Sequence, residues 1–201
     1  MTAFDAKRRT VAIDFLYLDL EVCTRCRGTG ANLETALTAV QAVLEAAAVE
    51  VRVTKTLVDS EQKARALGFL SSPTIRVNGR DIALDFRESR CESEACACVA
   101  GGEDAIDCRV WVYQGKEYTE APVPMIVDAI LSEVYGAAVS GRAPSAPADV
   151  PENLLRLFRG KEGTAAGCCD ARHQESCCEP SQKASCCGPS KEADARPCGC
   201  Q

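Results

Sequence analysis

The sequence predicts an α/β domain that carries a cysteine-rich insertion and ends in a cysteine-rich tail unable to fold. Three observations lead there. Segments of strand-like alternation take turns with segments of helical period as far as Gly136. Apolar residues are dense up to that point and thin out beyond it. From Ala165 to Gln201 there is no Leu, Ile, Val, Phe, Trp, Tyr or Met, so nothing there can build a core. The 201 residues therefore divide into a domain over 1–136 with an insertion at 85–108, a linker with a short amphipathic helix over 137–164, and a disordered tail over 165–201.

Each element has its own warrant. Residues 10 to 20 form a buried strand rich in β-branched and aromatic residues, and "CTRC" follows at Cys23 to Cys26. Leu33, Leu37, Val40, Leu44 and Ala47 recur at helical spacing, with Asn32 as a cap. Gly28 and Gly30 precede that repeat, and each glycine costs about 1 kcal/mol in a helix interior. The helix is therefore expected to start only near Asn32. "VEVRVTKTLV", 49 to 58, alternates as a second strand should, and Ser60 opens a short helix that Gly68 ends. "SSPTIRVNGRDIAL" supplies a proline, a strand, an Asn-Gly hairpin turn and a return strand. Residues 85 to 107 read as irregular. "CRVWVYQGKEY" is a hairpin turning at Gln114-Gly115, and "PVPMIVDAILSEVYG" is a helix with Ile126, Ile130, Leu131 and Val134 on one face. In "PENLLRLFRG", Leu154, Leu155, Leu157 and Phe158 make an apolar side that docks on the domain or on another protein.

Composition narrows the chemistry. A net charge of −6 with no Lys/Arg stripe leaves no footprint for nucleic acid. No apolar run approaches about 18 residues, so no membrane span is expected. The N-terminus has basic residues but no Ala-x-Ala site, and its apolar part alternates with Asp14 and Asp19. A cytoplasmic location is the expectation. In a reducing compartment, fourteen cysteines suggest metal ligands or redox groups before a disulfide framework. The single histidine, His173, lies in the tail, so a His-rich metal site and a Cys-His nucleophile within the domain are both excluded.

Strand, Cys-x-x-Cys, helix, strand, helix and Ser-Pro before a strand is the order of a thioredoxin-like fold, a central mixed sheet flanked by helices. Through "CTRC" and "SSPTIRVNG", residues 10 to 84 resemble that superfamily. The resemblance implies that Pro73 is a cis-proline facing the dithiol, leaving the backbone of Ser72 open to a bound thiol or peptide. It also implies that Cys23 attacks as nucleophile while Cys26 resolves the mixed disulfide. A helix N-terminus favours a thiolate, and Arg25 and Arg27 add positive charge. A loop-borne CxxC would also serve as half of a zinc site. "CTRCRGTG", the later cysteines, "CRVWVYQGKEYTEAP" and the closing helix together resemble a narrower prokaryotic thioredoxin-like family catalogued as a domain of unknown function. That likeness implies a fold and no activity.

Two further cysteine groups remain. Cys91, Cys96, Cys98 and Cys108 are spaced C-x4-C-x-C-x9-C, able to close around a structural Zn²⁺. The same four thiols could instead hold an iron–sulfur cluster, communicate with Cys23 as redox groups, or form disulfides. In the tail, Cys168-Cys169, Cys177-Cys178 and Cys186-Cys187 repeat at an interval of nine, followed by Cys198 and Cys200. Adjacent Cα atoms lie about 3.8 Å apart, inside the lower disulfide limit of about 4.4 Å, so bonds within a pair are disfavoured. Flexible polar spacers would let the pairs fold around a soft ion such as As(III), Hg(II) or Cu(I).

The expected function is a cytoplasmic thiol protein whose Cys23 and Cys26 exchange disulfides with a protein or small thiol, linked to thiophilic metal or metalloid handling. The alternative is a binding or transfer protein that uses the tail without turnover. No organic cofactor is indicated, and the oligomeric state is not readable.

Overall fold

A computed structural model describes residues 9–21, 23–83, 85–91, 106–136 and 149–163. The first strand, β1 (Arg9–Tyr17), runs parallel to β2 (Val49–Leu57), paired from Arg9↔Val49 to Tyr17↔Leu57. Helix α1 (Thr24–Ala46) makes the crossover that a parallel pair requires. On the other side of β1, β3 (Thr74–Val77) lies antiparallel and pairs in turn with β4 (Arg80–Asp81), giving the order β2-β1-β3-β4. Asn78 and Gly79 both take positive φ, 48° and 78°, as their hairpin turn demands. Helix α2 (Glu61–Leu67) is capped by the Ser60 side chain, which accepts from the Lys63 N–H, and ends on Gly68 at φ 55°. The sequence anticipates these boundaries closely.

A second antiparallel sheet has the order β5-β6-β7: β5 (Arg87–Arg90), β6 (Asp107–Tyr113) and β7 (Lys116–Tyr118). Arg87–Arg90 corrects the irregular reading of residues 85–107. Its four polar residues carry no alternating pattern, and it is a strand because β6 offers a partner from Arg87↔Val110 to Arg90↔Asp107. Arg109 fastens this sheet to the first. Its N–H donates to the Ser72 carbonyl at 2.8 Å, and its guanidinium pairs with Asp81 at 2.9 Å and reaches Thr74 Oγ1 at 3.1 Å.

The start of α1 is the second correction. The helix begins at Thr24 rather than near Asn32, and it runs straight through Gly28 and Gly30. Both glycines sit where other groups approach closely. A Cβ at Gly30 would stand 3.3 Å from the buried ring of Phe15, and one at Gly28 would meet the Glu120 carboxylate. Asn32 is not a cap; its Nδ2 donates to the Ala121 carbonyl at 2.9 Å.

Successive strand residues point to opposite faces, and β1 divides accordingly between two apolar clusters. Val11, Ile13 and Phe15 pack with Leu33, Val40 and Leu44 of α1, Trp111 of β6, and Ile126, Ile130 and Val134 of α3 (Val123–Tyr135). Leu16 and Leu18 pack instead with Val58, Ala64, Phe69 and Ile106. The same second cluster takes Leu154, Leu157 and Phe158 of α4 (Glu152–Gly163), so that helix docks on its own domain. Asn153 adds hydrogen bonds to Glu88 at 3.1 Å and to the Asp107 carbonyl at 3.4 Å. Among the described residues, no helix is long and apolar enough to cross a membrane. Cys96, Cys98, the 137–148 linker and the tail with Cys168, Cys169, Cys177, Cys178, Cys186, Cys187, Cys198 and Cys200 lie outside the described residues.

Candidate thiol site

Just beyond β1 the chain reaches Cys23, whose extended backbone (φ −86°, ψ 104°) makes it the N-cap of α1. Its Sγ accepts the Cys26 N–H at 3.3 Å, the bond a serine oxygen would take at such a position. One turn into the helix, Cys26 is fully buried, and its Sγ lies 3.3 Å from Ser72 Oγ. That same hydroxyl accepts the Leu18 N–H at 3.3 Å, which leaves its own hydrogen for the sulfur. Ser72–Pro73 is a cis peptide, immediately ahead of β3.

The expected opening at Ser72 is not there. Ser72 is fully buried, and its carbonyl already accepts the Arg109 N–H. Strand β6 thus takes up the backbone acceptor that the resemblance would leave to a bound peptide.

Strand β6 also brings Cys108. It pairs with Ser89 of β5, and the next step of the ladder is the Cys91 N–H donating to the Ile106 carbonyl at 2.9 Å. Cys91 and Cys108 are therefore diagonal neighbours on one face of the hairpin. The Cys108 thiol hydrogen-bonds to both Cys23 and Cys91, and the Cys26 thiol to Cys23. These contacts connect the four thiols in the order Cys26, Cys23, Cys108, Cys91, within one buried cluster. None of the four is in a disulfide, and they are exposed by 4% at Cys23, 0% at Cys26, 3% at Cys91 and 2% at Cys108.

Electrostatics assign their protons. The hydrogen bond to Cys23, followed by burial, pushes the Cys26 thiol well above its ordinary range. Cys108 is pushed up by its bonds to Cys23 and then Cys91, with burial adding to both. Cys26 and Cys108 thus remain protonated and turn their S–H groups toward Cys23. The Cys26 N–H is directed at the same sulfur, at 3.3 Å.

Two positioning groups were not read from the sequence as such. The Ser72 hydroxyl could have been suspected from its place before Pro73, but only as backbone. Arg25, expected as a nearby charge, is instead buried. Its guanidinium reaches Ser89 Oγ at 2.9 Å, the Arg90 carbonyl at 2.8 Å and the Cys108 carbonyl at 3.5 Å, clipping the CxxC turn to the strands that bear Cys91 and Cys108. Arg27 stays exposed, with Nη1 3.5 Å from the Glu21 carbonyl.

As a metal shell the described thiols are incomplete. Among the described residues, no three Cys, His, Asp or Glu side chains are arranged to hold a metal ion. Two of the four ligands expected of a zinc site, Cys96 and Cys98, fall outside those residues. Reduced thiols in contact, one of them at a helix N-terminus, have the makings of thiol–disulfide exchange.

A family model described as a domain of unknown function (DUF2703) matches residues 11–130. No curated protein and no solved structure matches the chain.

Proposed function

The chain belongs to this family of unknown function, so its activity has to be read from the site itself, and we propose that it is a cytoplasmic thioredoxin-like thiol protein performing dithiol–disulfide exchange linked to thiophilic metal or metalloid handling. The order β2-β1-β3-β4 and the cis peptide before β3 support the thioredoxin-like part. The observation that carries the activity is Cys23 Sγ at the start of α1, bonded by the Cys26 N–H, with a protonated Cys26 beside it. Cys23 attacks one sulfur of an incoming disulfide and expels the other as a thiolate. Cys26 then displaces the bound sulfur, closing Cys23–Cys26 and releasing the reduced substrate. Because β6 engages Ser72 and the thiols are nearly closed off, a small disulfide or a thiol-bound ion suits the site better than an extended peptide.

A second reading rests on the tail. Three cysteine pairs at an interval of nine supply soft ligands tethered next to the dithiol domain, which favours sequestration or transfer of an ion without turnover. Zinc at Cys91, Cys96, Cys98 and Cys108 belongs to this reading.

Reduced full-length chain is mixed with glutathione disulfide, and Cys23→Ser is compared with a chain in which the eight tail cysteines are serine. Exchange lost in Cys23→Ser and kept in the tail variant supports the dithiol reading; exchange unaffected by Cys23→Ser overturns it. Native mass spectrometry of the same proteins with arsenite or Hg(II) tests the tail. Uptake of several ions that vanishes in the tail variant supports sequestration, and equal uptake removes it.

A further inference from the structure

We propose that Cys91 and Cys108 are a second redox pair, reached from Cys23–Cys26 through a Cys23–Cys108 disulfide. This rests on the exchange reading and adds where the oxidising equivalents go next.

The order in which the four thiols touch, within one buried cluster that holds Cys91 beside Cys108 across two paired strands, is the argument. Cys23 has a neighbour on each side, Cys26 from its own helix and Cys108 from β6. Cys108 likewise stands between Cys23 and Cys91. Each successive pair is in hydrogen-bond contact, so every sulfur that must be attacked already lies beside its attacker. Arg25 sits between the two cysteines of the CxxC and holds the carbonyls of Ser89, Arg90 and Cys108, so the two pairs are braced as one unit. With all four sulfurs nearly inaccessible to solvent, internal transfer needs no opening, whereas any outside thiol does.

The steps balance within the chain. Starting from a Cys23–Cys26 disulfide, Cys108 gives up its proton and attacks Cys23 Sγ. The Cys23–Cys108 bond forms, the Cys23–Cys26 bond breaks, and Cys26 leaves and takes the proton. Cys91 then attacks Cys108 Sγ in the same way, its proton passing to the departing Cys23. The net result is Cys23–Cys26 reduced by two electrons, Cys91 and Cys108 oxidised by two, and two protons moved. The dithiol at Cys23 is then ready for a second oxidant. Diagonal cross-strand neighbours have Cα atoms about 7–8 Å apart, just beyond the usual disulfide range of about 4.4–6.8 Å, so closing Cys91–Cys108 draws the two strands together and leaves the bond a labile store rather than a permanent staple.

The test is a time course. Reduced full-length chain receives one equivalent of glutathione disulfide, is quenched in acid, blocked with N-ethylmaleimide, and cut with trypsin plus a Glu-specific protease before mass spectrometry. The expected record is a Cys23–Cys26 bond at early times that declines as Cys91–Cys108 rises. In Cys26→Ser/Cys91→Ser, which can stop only at the intermediate, a peptide containing Cys23 joined to one containing Cys108 should be the dominant product. In Cys108→Ser the bond should stay at Cys23–Cys26. Cys108 pairing with Cys96 or Cys98, or a Cys23–Cys26 bond that never passes on in the wild type, overturns the relay while leaving the exchange reading intact. If glutathione disulfide oxidises the chain equally well with Cys23 replaced by Ser, the exchange reading itself fails. The wild-type time course decides even if a variant does not fold.

Discussion

A cysteine at a helix N-cap does what serine does there and adds a reactive group. Cys23 satisfies the Cys26 N–H as a cap, yet the sulfur it uses is also the one toward which two protonated thiols turn. Those protonated neighbours bear on stability. Cys26 and Cys108 have folded values raised above the ordinary 9.0, so below about pH 9 both the folded and unfolded chains hold these protons and the contribution is complete. Above it the unfolded chain ionises while the folded one does not, and stability falls as pH rises. The slope is about 1.4 kcal/mol per pH unit for each such thiol. Urea denaturation of wild type and of Cys26→Ser/Cys108→Ser, at pH 7.5 to 10 under reducing conditions, should therefore give curves that converge as pH increases. Curves that stay parallel would mean the two thiols are not held protonated.

At the scale of the element, α1 shows where pattern reading succeeds and where it stops. The repeat from Leu33 to Leu44 identifies the helix, since those side chains face the core. Its first turns carry no such repeat, and propensity alone assigns Gly28 and Gly30 to a loop. What overrides propensity is contact: Phe15 leaves room only for hydrogen at Gly30 without adjustment, and α1 is anchored at its first turn by the Cys23 cap. The two glycines should consequently respond differently to substitution. Gly28→Ala meets first the end of the flexible Glu120 side chain, which can move aside, and should raise stability by up to about 1 kcal/mol, the helix-propensity difference. Gly30→Val must displace the buried Phe15 ring and should lower it by about 1–3 kcal/mol. Thermal and urea unfolding of both variants measures this; a neutral Gly30→Val would remove close packing as the reason for the glycine. The strand Arg87–Arg90 was illegible for a related cause, because its partner β6 and not its own sequence makes it a strand.

For the whole molecule, the sequence makes each cysteine group visible but not their convergence. Sixty-four residues lie between Cys26 and Cys91, and the packing of β6 against Ser72 and Thr74, together with the Arg25 clip, closes that gap. The same holds for α4, whose apolar side is plain in "NLLRLF" while its destination is not. That destination is the cluster containing the four thiols, so α4 is part of what keeps them from solvent. Leu154 and Leu157 are fully buried there, and truncating either to Ala should cost about 2–5 kcal/mol. If α4 lifts as a local unit, the loss appears first as thiol exposure and only partly as global unfolding. Iodoacetamide labelling of reduced chain at neutral pH separates the two. Leu157→Ala should label Cys23 and Cys108 faster than Ile130→Ala, a truncation in the opposite cluster, when the two are compared at equal global stability. Equal labelling rates would mean that the thiols are reached only when the whole domain unfolds, and α4 would then be one more piece of core rather than the cover of the site.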